Sequence, residues 1–228
     1  MSKPILAAAA LALLATPALS RERDERRGYA NPSAVIAAEI AFAKLAQEKG
    51  QWTAFRATAM PDAVMFVPQM VLAQQWLKGK ADPARAVSWQ PHQVWSSCDG
   101  SLAVTRGAWQ GEKGASGYFT TVWQRQKDGK YKWVADQGEA LPMPLDAPEM
   151  IVAKVADCPP GYRGKPVKRP KLPPVPFDPA HRLGKSDDGT LTWDVAVAPS
   201  GARRFVVTLL SSGQPATVQD LQVEPEAK

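Results

Sequence analysis

Between Val87 and Gln137 tryptophan and β-branched residues alternate with polar ones, and turn signals break the run at regular intervals. Val87–Ser97, Leu102–Trp109, Gly117–Gln126 and Tyr131–Gln137 read as four strands. Asp99-Gly100 and Asp128-Gly129 are hairpin signals, and Gly111 and Gly114 mark a looser turn between the second and third strands. Strands joined by turns this short are antiparallel neighbours, so this region folds as a meander, and its apolar face must be covered by something else in the chain.

The cover lies upstream. Asn31-Pro32 opens a helix, with Asn as cap and Pro preformed for the first turn, and the helix runs from Ser33 to Lys49 before Gly50 stops it. Val35, Ile36, Ile40, Phe42, Ala43 and Leu45 fall mainly on one face, with Glu39, Lys44, Gln47 and Glu48 on the rest. A second helix is expected over Gln51–Thr58, with Trp52 and Phe55 facing inward. Pro61-Asp62 then reads as a turn, Ala63–Val67 as a strand, and Val71–Leu77 as a short helix ending near Gly79. Helices followed by a meander define an α+β class, and the lack of βαβ alternation argues against a doubly wound nucleotide fold.

Beyond the meander the character changes twice. Residues 141–150 are proline-rich, Ile151–Val155 adds a short strand, and Pro159–Pro179 holds eight prolines in 21 residues, a composition that favours extended linker over packed core. Strand character returns in the tail: Leu191, Trp193, Val195 and Val197 alternate, then Phe205, Val207 and Leu209, then Val218, Leu221 and Val223. A lone three-stranded sheet is marginal, so this extension is expected to pack on the main domain.

The N-terminus has one cation (Lys3), an unbroken apolar run from Ile5 to Ala15, and small residues before a break after Ser20, the pattern of a cleavable export signal. The run is shorter than the roughly 20 apolar residues a permanent span needs, and Arg21–Arg27 is densely charged. The expected division is a signal peptide (1–20), a charged linker (21–31), a main domain (32–150), a basic Pro-rich linker (151–180) and a small β extension (181–228), in a periplasmic or secreted bacterial protein with no integral membrane segment after cleavage. The net charge is +6. Much of the basic excess sits in Arg163, Lys165, Lys168, Arg169 and Lys171, unlike the spread face of a nucleic-acid binder. Cys98 and Cys158 are the two cysteines; an oxidising compartment favours a bridge between them, and the alternative is two buried thiols. Their spacing, with only His92 and His181 as further soft ligands, argues against a zinc site, and no cofactor motif is present.

The stretch from Ser88 to Gly138 carries a further signal. A Gly-containing turn (Cys98-Asp99-Gly100-Ser101) precedes a strand ending Gly107-Ala108-Trp109. Next comes Tyr118-Phe119-Thr120-Thr121-Val122-Trp123, then Asp128-Gly129 and Lys132-Trp133-Val134-Ala135-Asp136. With the two leading helices, residues 32–140 resemble the nuclear transport factor 2-like superfamily, in its SnoaL-like branch, mostly a domain of unknown function. The resemblance implies a cystatin-like cone, with N-terminal helices packed in a curved antiparallel sheet, often around an apolar cavity. It also implies a homodimer through the outer sheet face. The tail after Met150 falls outside it.

Enzymes of that superfamily place a carboxylate or a His–Asp pair in the cone. Here Asp136, at the end of the last cone strand, is the weak candidate base, with His92 and Tyr118 as assisting groups; a strand-end residue bonding nearby backbone is the structural alternative for Asp136. His92 is expected on the face opposite Trp89, Gln93 and Trp95 if its strand is regular. Arg106 and Arg125 could hold an anion or simply be solvated face charges. The aromatic set suggests a pocket lined by Trp52, Phe55, Trp95, Tyr118, Trp123, Trp133 and Asp136 for a small apolar or amphipathic ligand; a cone filled by its own side chains is the alternative. Three functions stay open: non-catalytic binding of such a ligand or of a protein partner, an isomerase- or dehydratase-type enzyme using the cone carboxylate, and an envelope structural or interaction protein.

Overall fold

The structure, a computed structural model, describes residues 29–164 and 176–225. The expected signal peptide, nearly all of the expected charged linker and the middle of the expected Pro-rich linker lie outside the described residues. Among the described residues no helix is long and apolar enough to cross a membrane.

Helix α1 spans Pro32–Lys49, its start capped by Asn31, whose side chain accepts from the Ala34 amide at 3.1 Å. The buried residues are Val35, Glu39, Phe42 and Ala46, at intervals of four, three and four, so the inward stripe is centred on an acid. Ile40, expected inside, is 51% exposed, and Glu39, expected outside, is fully buried. Hydropathy alone cannot anticipate this inversion, because the reason lies across the cone: three hydrogen-bond donors wait there for Glu39. Helix α2 (Gln51–Thr58) follows and packs on α1.

Strand β1 (Ala59–Phe66) runs straight through Pro61-Asp62, where a turn was expected; as a strand next to the short β2 (Met70–Leu72) it tolerates a proline in its first half, where it makes no antiparallel pairs. Helix α3 is the single turn Ala73–Leu77. The meander is β3 (Ser88–Ser96), β4 (Leu102–Gln110), β5 (Ser116–Arg125) and β6 (Tyr131–Ala140), and β7 (Val152–Val155) adds on alongside β3. The sheet order is β2-β1-β6-β5-β4-β3-β7, antiparallel except for the β1–β6 and β3–β7 pairs. The cone sheet therefore reaches Val155, past the boundary expected at 150, because β7 completes its edge.

Residues 181–223 form a second antiparallel sheet, β8 (His181–Lys185), β9 (Leu191–Val197), β10 (Arg203–Ser211) and β11 (Gln214–Val223), in the order β11-β10-β9-β8. Strand β8 has no hydrophobic alternation of its own and forms by pairing with β9.

Neighbouring residues on each cone strand feed two different cores. Met65, Val94, Ala103 and Trp123 point inward to α1 and α2, together with Trp133. Val64, Trp95, Val104 and Val122 point outward and meet Leu191, Trp193, Val195, Phe205, Val207 and Leu209 of the tail. The outer face is thus occupied by the chain's own tail sheet, and a second copy could use that face only by displacing it.

The two sheets are joined at their turns by a matched pair of loops. Ser97-Cys98-Asp99-Gly100-Ser101-Leu102 and Ser186-Asp187-Asp188-Gly189-Thr190-Leu191 share the pattern Ser-x-Asp-Gly-Ser/Thr-Leu. Within each loop the Ser hydroxyl donates to the Asp carboxylate, at 2.7 Å and 2.6 Å. Between loops the bonds are reciprocal: the Asp99 amide donates to Asp188 at 2.8 Å and the Asp188 amide to Asp99 at 3.1 Å. The Cys98 amide donates to the Thr190 hydroxyl and the Asp187 amide to the Ser101 hydroxyl, at 2.9 Å and 2.8 Å. The Cys98–Cys158 disulfide is formed at the same junction.

Candidate functional site

On the inner side of the cone the helices do not fill all the space. A cavity of about 240 Å³ opens between α1, α2 and the sheet, walled by Phe42, Trp52, Phe55, Trp89, Trp109 and Phe119. Trp109 can lie flat over the sheet because Gly117 is beneath it: a Cβ at 117 would collide with the indole ring and with the Glu139 carbonyl. Asp136 is the one titratable residue in the wall among the described residues.

Asp136 lies in the middle of β6, not at its end, because β6 continues to Ala140. It sits opposite Thr121 of β5 and Met65 of β1. Its carboxyl accepts from the Thr121 hydroxyl at 2.7 Å, in place of the backbone contact expected of a strand-end residue. Burial pushes its pKa up to about 8; the Thr121 bond opposes this and the Glu39 carboxyl adds to it. At neutral pH it is largely a neutral acid able to donate a hydrogen bond, and it becomes a base once ionised.

Glu39 is the second carboxyl of the cone and is built differently. It accepts from Trp89 Nε1 at 2.7 Å, Thr105 Oγ1 at 2.5 Å and Trp123 Nε1 at 2.9 Å, and no cation pairs with it among the described residues. Burial raises its pKa against the effect of those three donors. It is sealed from the cavity, so its role is to hold two indole rings and a hydroxyl in place. The clue in the sequence was an acid in the midst of the apolar stripe of α1, at the i+4 position from Val35.

The other sequence-predicted residues disperse. Trp52 and Phe55 join Asp136 in the wall. Trp123 and Trp133 are buried in the inner core behind it, their ring N–H groups bonded to Glu39 and to Thr58. Trp95 faces the tail sheet, because a register shift between Pro91 and Gln93 reverses the alternation after Trp89. Tyr118, one residue before the inward Phe119, lies on the outer face, with the Arg106 guanidinium 5.2 Å from its ring centre. Arg125 donates to the Asp99 carbonyl, Asp62 pairs with Arg182, and His181 pairs with Asp194 at 2.9 Å. His92 is the extra residue of the β3 shift and is buried away from Asp136 in a separate groove. The expected trio of Asp136, His92 and Tyr118 is not assembled. Among the described residues no cluster of three or more His, Cys, Asp or Glu could hold a metal ion.

No family model matches the chain, and no curated protein matches it. Among solved structures it is similar to a protein provisionally described as a ketosteroid isomerase from Parabacteroides distasonis, at 17% identity over 51% of this chain and 97% of that one, with a TM-score of 0.40. It is also similar to one provisionally described as an aromatic ring hydroxylase from Novosphingobium aromaticivorans (12% identity, 50% and 91% covered, TM-score 0.36). A third is the CaMKII hub of S. rosetta (16% identity, 49% and 98% covered, TM-score 0.38). Each aligns with about half of this chain, and none bears on the tail's role or on the chemistry of Asp136.

Proposed function

We propose that the cone binds a small apolar molecule carrying one carbonyl or hydroxyl group, and that Asp136 exchanges a proton with it, as in an isomerase or dehydratase. The observation that carries this reading is the isolation of one carboxyl, raised toward neutrality, in a pocket walled mainly by aromatic and aliphatic groups, with Gln51 and Gln137 as its uncharged polar residues. Such a wall takes up an apolar body, and a carboxyl with a pKa near 8 can both give and accept a proton at physiological pH. The leader pattern and the disulfide support an exported protein as the setting.

A second reading, carriage of the ligand without chemistry, is favoured by the dispersal of His92 and Tyr118, which leaves Asp136 without a partner to relay its proton. One experiment separates the two. Cyclic ketones such as 2-tetralone are titrated against tryptophan fluorescence and then incubated with the protein in D₂O, with deuterium uptake next to the carbonyl followed by mass spectrometry. Proton transfer predicts saturable quenching and uptake that rises with pH toward 8 and is lost in Asp136→Asn. Quenching with uptake no faster than in Asp136→Asn leaves carriage; no quenching by any ketone sinks both.

A further inference from the structure

Three ring N–H groups of the inner core are used inside the fold. Those of Trp89 and Trp123 donate to Glu39, and that of Trp133 to the Thr58 hydroxyl. Trp109 differs. It lines the Asp136 pocket, and its ring N–H donates to no described residue. Nor is that nitrogen enclosed: the sealed, unpartnered side-chain nitrogens among the described residues are those of His92 and Gln137. An indole N–H can only donate, so what Trp109 lacks is an acceptor from outside the chain.

Two glycines set where the donor stands. Gly117 lets the indole lie across β5, and the nitrogen edge of the ring then reaches β6 at Gly138. A Cβ at 138 would stand 3.5 Å from Nε1; with none there, the space in front of the donor is open. Asp136 is two residues earlier on the same face of β6, in regular register opposite Thr121 as Gly138 is opposite Phe119. The two positions are thus about 6–7 Å apart along the strand. Thr121 holds Asp136 Oδ2 at 2.7 Å, and Oδ1 has no partner among the described residues and is not enclosed. A carbonyl oxygen accepts at about 2.9 Å, its neighbouring carbon lies about 2.4 Å beyond, and a reacting carbon sits about 3–3.5 Å from its base. One carbonyl and the carbon beside it therefore bridge the two open atoms along a bent path. The other polar amide of the wall, Gln51, accepts from the Val87 amide through Oε1 at 3.1 Å.

We propose that Trp109 Nε1 donates to the carbonyl oxygen of a ketone bound in this pocket, and so sets the carbon next to that carbonyl against Asp136 Oδ1. The inference rests on the cone being the site of such a ligand, and it narrows the ligand to ketones with a hydrogen on that carbon. When ionised Asp136 takes this hydrogen as a proton, the C–H electron pair forms a C=C bond and the carbonyl π pair moves onto oxygen. The N–H that bonded a neutral carbonyl then bonds an enolate. A donor whose bond strengthens as charge develops lowers the barrier as well as binding the substrate. Return of a proton from Asp136 to carbon restores the ketone, and no co-reactant is consumed.

The test follows the indole ¹H–¹⁵N signal of Trp109 in the full chain, assigned by its loss in Trp109→Phe. The probes are 2-tetralone and tetralin, the hydrocarbon of the same shape, with binding read at the Met65 methyl in the pocket wall. 2-Tetralone should move the N–H proton downfield saturably; tetralin, which has no acceptor, should bind without doing so. Trp109→Phe keeps a ring over Gly117 but has no donor. It should bind tetralin as the wild type does and 2-tetralone about fivefold to tenfold more weakly. At saturating ketone it should slow deuterium uptake beside the carbonyl by about 10- to 100-fold. Gln51→Ala should leave the indole shift in place. An indole signal that 2-tetralone does not move overturns the inference, as does uptake that persists undiminished in Trp109→Phe. Uptake that depends on Asp136 while the Trp109 signal stays fixed removes this inference alone, whereas a pocket that binds no ketone removes the reading beneath it as well. The indole shift reports the carbonyl's position whether or not uptake follows.

Discussion

The two faces of the cone sheet are covered by different kinds of element, and they end in different states. The outer face meets another sheet. Flat against flat, the side chains of β9 and β10 interdigitate with those of the cone strands, and Trp193 stacks on Phe205 with ring centres 5.9 Å apart. The inner face meets helices. A cylinder laid in a curved sheet touches it along a line and leaves space at the end, which aromatic rings in edge-on contact wall without filling. The pocket belongs to the looser face: it opens where the geometry of cover is imperfect, and the tightly packed face stiffens the sheet from behind.

The sharpest way to break that contrast is to remove one large ring from each face. Phe205→Ala, in the outer core at zero exposure, should cost about 3–5 kcal/mol in denaturant unfolding. Trp52→Ala, half-buried in the pocket wall, should cost about 1–2 kcal/mol while abolishing ketone quenching. Equal costs would mean that the inner face is packed as solidly as the outer.

Next in size is the tether. The disulfide closes a separation of 60 residues, and replacing both Cys98 and Cys158 by Ala should lower stability by about 2–4 kcal/mol. The pocket should be unaffected in its ligand response, since the bridge lies at the tail junction. Smaller again is the reciprocal turn pair. Asp99→Ala and Asp188→Ala should each cost about 1–3 kcal/mol. Because the two loops bond each other, a double-mutant cycle should show a coupling of about 0.5–3 kcal/mol; strict additivity would mean the loops merely touch.

The last test belongs to the inner face and is read as a dependence on pH. Asp136 has its folded pKa raised to about 8, so the folded state holds a proton that the unfolded chain gives up near pH 4. Stability from this group is therefore full below pH 4 and is lost as the pH rises through 8. Asp136→Asn should match the wild type near pH 4 and become progressively more stable than it from pH 5 to pH 9, read as a change in slope of midpoint against pH. Parallel slopes would show the carboxyl to be better hydrated than the pocket implies.

Much of the fold was readable in advance. The α+β class, the two leading helices and the strands of the meander follow from caps, hairpin dipeptides and alternation, which are local. What escaped is non-local. Glu39 looked like a surface acid because its three donors come from β3, β4 and β5. Trp95 looked like a pocket residue because period-two counting fixes which residues share a face only while register holds, and a single inserted residue at His92 undoes it; Tyr118 is out of phase with Trp123 on a strand paired to β4 without a shift. Strand β8 exists only as a partner of β9. Asp136 was singled out from the residues, but its place in mid-strand, beneath helices and across from Glu39, required the folded sheet.

The covering of the outer face also imposes an order in time. Synthesis proceeds from the N-terminus, and the cone sheet is complete once Val155 has been made. Its outer residues, Trp95, Val104 and Val122 among them, then face solvent until the chain has reached Leu209. Between those two points the molecule is a finished sheet with a sticky back. Any truncated product that ends within the linker would present that back permanently, and aggregation is the expected fate of such a fragment. The tail strands, made after the cone sheet, are thus the ones that close its back.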